Sequence, residues 1–187
     1  NYHLQCDNPV EKRFWGKVPV ERASSYFFFQ KGSGFQKLIH ELKYKGNKEL
    51  GVIIGRYAAA DLLQSDAFSS IDILVPVPLH PKKEAKRGYN QSNLICKGLS
   101  TILVKPVVAD NLLRKLDSAT QTRKGVYERY ENTSGIFAVK RVEEFAGKHL
   151  LLVDDVLTTG STLEACIQAL QTVENVKVSV FTLAVAN

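Results

Sequence analysis

Methionine is absent from the 187 residues, tryptophan occurs once and cysteine three times. A chain that opens on Asn1 and holds no methionine leads one to expect residues ahead of Asn1 in the natural protein. Cys6, Cys96 and Cys166 are odd in number and far apart, which argues against a disulfide scaffold and for a reducing, cytoplasmic setting. One thiol near the N-terminus cannot build a four-ligand structural zinc site, so no zinc is expected within the chain. No apolar run approaches the roughly 18–20 residues needed to span a membrane, and no basic–apolar–small signal pattern opens the chain. Internal repeats and low-complexity tracts are missing too.

What remains has ordinary globular composition, 44% hydrophobic and 24% charged, at a length that suits one domain with a substantial core. The net charge of +6 is spread over Lys31–Lys48, Lys82–Arg87 and Arg114–Arg129. Such a surplus fits nucleic acid, and fits a polyphosphate substrate equally well.

The segment Leu150–Thr162, LLLVDDVLTTGST, is the most informative in the chain. Its continuous apolar run reads as a strand buried on both faces. The Thr-Thr-Gly-Ser-Thr turn then leads into a helical stretch, placing small residues and free N–H groups where the helix dipole favours an anion. Asp154 and Asp155 would repel that anion, so they are better placed to hold sugar hydroxyls or a divalent cation. Together these features imply a phosphorylated sugar. Helix capping would account for one or two of the side chains, not for DDxxTTGxT in order, which chance supplies at on the order of 10⁻⁸ per position.

Strands are expected at 25–30, 71–75, 107–113, 136–139, 149–153 and 176–184, and helices at 34–45, 50–63, 90–103 and 162–173. Residues 1–23 read as an irregular segment, with Phe14 and Trp15 packed on the body, and 117–132 as a polar loop. Alternating strands and helices predict an α/β fold with a mostly parallel central sheet flanked by helices. In such a sheet ligands sit at the carboxyl ends of the strands, so 75–83, 113–117 and 154–162 should converge.

DDxxTTGxT after an apolar run resembles the phosphoribosyl pyrophosphate signature of type I phosphoribosyltransferases. A second block, VPVPLHPKKEAKRGYNQS from Val75 to Ser92, resembles the ComF family, phosphoribosyltransferase-fold proteins associated with DNA uptake in competent bacteria. The resemblance runs from about Ser24 to the C-terminus. It implies the type I phosphoribosyltransferase fold over residues 24–187 behind a small N-terminal hood-like region. It also implies that residues 1–23 are a remnant of an upstream cysteine module.

By that resemblance, Asp154 and Asp155 accept from the ribose hydroxyls, and Thr158, Thr159, Gly160, Ser161 and Thr162 hold the 5′-phosphate. Pyrophosphate falls to Val77, Leu79 and His80, with Lys82 and Lys83 adding charge, and to Arg114 and Lys115. The segment TQTRKGVYER resembles the flexible loop that closes over substrate, with Gln121, Thr122, Arg123 and Arg129 as its contacts. Arg87, Asn90 and Gln91 are secondary candidates, Asn90 as a helix N-cap. His80 reads either as a proton carrier or as a structural loop histidine. Mg²⁺ is implied as a cofactor carried by the substrate, with no direct protein ligand.

Two functions stay open at this point. One is transfer of ribose 5-phosphate from phosphoribosyl pyrophosphate to a nitrogen nucleophile. The sequence order also resembles the transferase half of glutamine amidophosphoribosyltransferase, without its glutaminase part. The other is a DNA-uptake module that keeps the fold for binding and catalyses little. Its partners would be single-stranded DNA or competence proteins, with a homodimer as the candidate assembly.

Overall fold

The computed structural model describes residues 2–29, 34–115 and 135–186. Their element order is β1 (Ala23–Phe29), α1 (Gly34–Tyr44), α2 (Lys48–Leu62), β2 (Ile73–Pro76), α3 (Pro81–Arg87), α4 (Gln91–Leu103), β3 (Leu112–Arg114), β4 (Phe137–Val139), α5 (Val142–Phe145), β5 (His149–Leu157), α6 (Ser161–Leu170) and β6 (Lys177–Ala186). Four strands form a wholly parallel sheet in the order β1–β6–β5–β2. β5 lies inside it, so its apolar run is covered on both faces. Leu150 and Leu152 pack with Leu163, Ile167 and Leu170 of α6, whereas Leu151 and Val153 pack with Leu42, Ile54, Ile95 and Leu99 of α1, α2 and α4. Each leucine so buried contributes roughly 1.5–3 kcal/mol, which explains why no polar residue interrupts the run before Asp154.

Two expectations need correction. The strand expected at 107–113 is not a sheet strand. Val107 makes only a single bridge to Leu74, and Leu112–Arg114 pairs antiparallel with Phe137–Val139 in a separate two-stranded sheet. Asn111, fully buried, fastens the end of that pair, its side chain donating to the Arg141 carbonyl and Glu144 and accepting from the Lys140 and Arg141 amides. Trp15 does not pack on the body: it is 57% exposed, with the Lys12 ammonium 5.6 Å from its ring centre. Phe14, by contrast, is buried in the core beside Val10.

Candidate functional site

β5 does not stop at Val153. It pairs with β6 through Asp154↔Thr182 to Leu157↔Val185, so both carboxylates stand on a rigid strand. The chain then turns through Thr158, Thr159 and Gly160 into α6. Gly160 is the helix N-cap, with φ of 90°, and a Cβ there would sit 3.2 Å from Glu164 Oε1. Only glycine holds that conformation cheaply. No side-chain cap closes α6. Thr159 Oγ1 bonds Ser161 Oγ at 3.0 Å and reaches the Ser161 amide only at 3.4 Å. The amides of Thr162 and Leu163 have no partner among the described residues. The hydroxyl residues therefore do not serve as caps, and the first turn stays open to an anion.

Asp154 and Thr158 to Thr162 line one small concavity, and Asp155 does not line it. The two carboxylates are thus unequal. Asp154 is half-buried, and its Oδ1 accepts from Ser92 Oγ at 3.0 Å and from the Asp155 amide at 2.9 Å. Burial first, then the Asp155 charge, holds its carboxyl well above the usual carboxylate range. Asp155 is 4% exposed and ion-paired with Lys43 at the end of α1, Nζ to Oδ1 2.9 Å. Its Oδ2 is buried with no partner among the described residues. Where both carboxylates were expected on the ribose, the strand alternation turns Asp155 toward α1 and leaves Asp154 at the cleft.

Replacing Lys43 by Met would strand that buried charge. We expect a loss of about 2 kcal/mol in urea unfolding, below the fully buried case because Lys43 is partly exposed. The double variant Lys43→Met/Asp155→Asn should be more stable than Lys43→Met alone. If it is not, the pair has no electrostatic role.

The second expected strand end does arrive beside the first, because β2 and β5 pair in register at Pro76↔Val153. Its details differ from expectation. Val77 is buried and its amide donates to the Val153 carbonyl at 2.9 Å, so it is not available to pyrophosphate. His80 is the N-cap of α3, its Nδ1 accepting from the Lys82 amide at 3.2 Å, which is the structural alternative for this histidine. Leu79 is half-buried, while Lys82 and Lys83 stand exposed on α3. Asn90 caps α4 and donates to the Val77 carbonyl at 3.0 Å, tying the loop to the helix. Arg87 donates to the buried Gln91, and its guanidinium lies 5.6 Å from the Tyr44 ring centre.

The third end, Arg114 and Lys115, belongs to the hairpin rather than the sheet. The Arg114 guanidinium lies 5.4 Å from the Phe137 ring centre. Lys115 is exposed. Gln121, Thr122, Arg123 and Arg129 lie outside the described residues. Three contributors escaped the sequence reading, namely Ser92, Lys43 and Arg13, whose guanidinium bonds the Thr158 carbonyl at 2.6 Å. Only Ser92 had a signal, as the last residue of the RGYNQS block.

A parallel sheet with an uncapped glycine turn beside a strand-borne carboxylate marks the class, the type I phosphoribosyltransferase fold. Residues 99–187 match the phosphoribosyl transferase domain family. The enzyme described as the allosteric regulatory enzyme of purine biosynthesis superposes with a TM-score of 0.51 at 14% identity, over 76% of this chain and 29% of that one. At that identity it bears on fold alone.

The chain is a homologue of DNA utilization protein YhgH and of the competence proteins. It is 32% identical over 136 residues to YhgH of Escherichia coli K12, covering 71% of this chain and 59% of that protein. It is 31% identical over 128 residues to Competence protein F of Haemophilus influenzae Rd, covering 68% and 56%. The chain thus spans under two thirds of the length of these curated relatives.

Proposed function

We propose that this chain binds phosphoribosyl pyrophosphate and transfers its ribose 5-phosphate to a nitrogen nucleophile. The observation that carries this reading is Asp154 standing in the same concavity as the uncapped first turn of α6. In this reading the amides and hydroxyls of 159–162 take the 5′-phosphate, and the Asp154 carboxyl takes a ribose hydroxyl. Ser92 and the Asp155 amide both bond Oδ1, which leaves Oδ2 to meet the sugar. Departure of pyrophosphate leaves positive charge on the ribose, and fixed groups already in place stabilise it without reorganisation.

No group of three or more His, Cys, Asp or Glu side chains gathers among the described residues. In this reading a Mg²⁺ would arrive on the phosphate oxygens of the substrate, with Asp154 as the carboxylate that lines the concavity. When bound, the ion would neutralise charge on the leaving pyrophosphate. Lys82 and Lys83 would add to that from α3, and Arg114 and Lys115 from the hairpin.

The test is incubation with Mg²⁺ and phosphoribosyl pyrophosphate, alone and with ammonia or nucleobases, while pyrophosphate release and ligand binding are followed. Release that depends on acceptor in wild type and is lost in Asp154→Asn supports transfer. Wild type that neither binds nor differs from the variant sinks it.

A second reading, binding of single-stranded DNA with little catalysis, draws on one separate observation. Tyr44 is 69% exposed beside Arg87, and Lys82, Lys83 and Lys86 stand exposed on the same short helix as Arg87. An aromatic face next to cations is the chemistry that tracks unpaired strands. On this reading, neutralising Lys82 and Lys83 reduces the salt slope of DNA binding by about two, one for each phosphate left without its cation. An unchanged slope removes α3 from any DNA surface. No helix among the described residues is long and apolar enough to cross a membrane. Location in the cytoplasm and assembly as a homodimer belong to this proposal as well.

A further inference from the structure

We propose that the phosphate loop is a composite structure seated by the N-terminal strap of residues 8–22, with Arg13 as a positioning residue for the 5′-phosphate. This rests on the reading of 158–162 as a phosphate cradle.

Three residues of the strap meet the loop or the first turn of α6. Arg13 donates from Nη1 to the Thr158 carbonyl at 2.6 Å and from Nη2 to the Ala186 carbonyl at 2.5 Å. One planar fork therefore ties the first loop residue to the end of the neighbouring strand β6. A lysine keeps the charge but cannot present two fixed donors in a plane. Phe14, almost fully buried, places Cε1 3.9 Å from where a Cβ on Gly160 would stand, so its ring supports the turn. Lys17 pairs with Glu164 at 2.8 Å, and Glu164 is the acidic residue in the first turn of α6. Unpaired, that carboxylate would oppose an anion at the same helix end.

The strap is itself held in one conformation. Asn8 is buried, donates to the carbonyls of Tyr2, Gln5 and Ala23, and accepts from the amides of Val10 and Glu11. Glu11 in turn accepts from Arg22 at 2.8 Å and from the Ala23 amide at 3.2 Å. A fully bonded polar hub of this kind fixes where Arg13 points.

The experiment titrates ribose 5-phosphate into the full chain as wild type, R13A, R13K and K17M. Amide NMR shifts of Thr162 and Leu163 report the loop, and those of Leu152 and Val180 report the core. In wild type the loop amides should move on titration and the core amides should not. R13A should need about tenfold more ligand for the same loop shifts, the scale of a lost charge-assisted hydrogen bond. R13K should be as weak as R13A, and K17M weaker than wild type by a smaller factor.

Saturation of R13A at the wild-type concentration overturns the proposal. So does wild-type behaviour in R13K, since charge alone would then suffice. Core amides already displaced in ligand-free R13A and R13K also overturn it, by making Arg13 a general stability residue. Wild type whose loop amides ignore ribose 5-phosphate overturns the cradle reading itself, a distinct failure.

Discussion

Gly98→Ala should cost about 3 kcal/mol of stability, at the upper end of what an added methyl does in a packed core. A Cβ at Gly98 would lie 2.2 Å from the Val52 carbonyl oxygen and 2.9 Å from Gly55 Cα. Its opposite number is as tight, since a Cβ at Gly55 would lie 2.4 Å from the Ile95 carbonyl oxygen. The nearest atoms on both sides are backbone, so neither contact can relax by a rotamer change, and helices α2 and α4 must move apart. The consequence reaches the site, because α4 carries Ser92 to Asp154 and Asn90 to the Val77 carbonyl. Urea unfolding and ribose 5-phosphate binding should therefore fall together in Gly98→Ala. A loss under about 0.5 kcal/mol, the scale of ordinary surface substitutions, would show that the two helices have room to give.

Asp154→Asn should separate stability from function. Burial and the Asp155 charge raise the folded-state value of Asp154 above that of an unfolded aspartate, about 3.9. The folded chain then holds a proton that the unfolded chain gives up. Stability is fully present below the unfolded value and declines as pH rises through the window up to the raised folded value. Asparagine cannot titrate and is nearly isosteric. The variant should gain on wild type in thermal unfolding as pH rises across that window, and match it near pH 3. Above the raised value, where the carboxyl has lost its proton, the same change should weaken ribose 5-phosphate binding by about 2 kcal/mol, since it then replaces a charged acceptor. A variant less stable than wild type at neutral pH would mean that the Asp154 charge is stabilised in place rather than strained. Strain held at a binding residue in this way is what a stability–activity trade-off looks like at the level of one carboxyl.

β5 and the turn into α6 were legible in the sequence because a both-faces-buried strand and an uncapped glycine turn impose local composition. The helices at 34–45, 50–63 and 90–103 were legible for the same reason, through apolar spacing and the Asn90 cap, and they are observed within two residues of those bounds. α3 was not, because its seven residues PKKEAKR bury no side chain and so carry no period. The split at 107–113 was not, because Leu112–Arg114 pairs with Phe137–Val139, and the buried Asn111 beside it bonds residues about thirty positions away. Likewise Lys43 meets Asp155 across 112 positions and Arg13 meets Thr158 across 145. Single cations have no sequence signature for such contacts, and only the fold supplies them. The inequality of Asp154 and Asp155 was hidden for another reason. The motif names both carboxylates, but which one faces the cleft is set by strand alternation together with what packs behind it.

A crystal structure of the chain with ribose 5-phosphate would decide whether the α6 turn is a phosphate cradle. The phosphate should lie at the amides of Thr162 and Leu163, in contact with the hydroxyls of 159–162. The sugar should lie against Asp154, with Asp155 still on Lys43. A ligand ordered elsewhere, or a saturated crystal with nothing at the α6 turn, would contradict it.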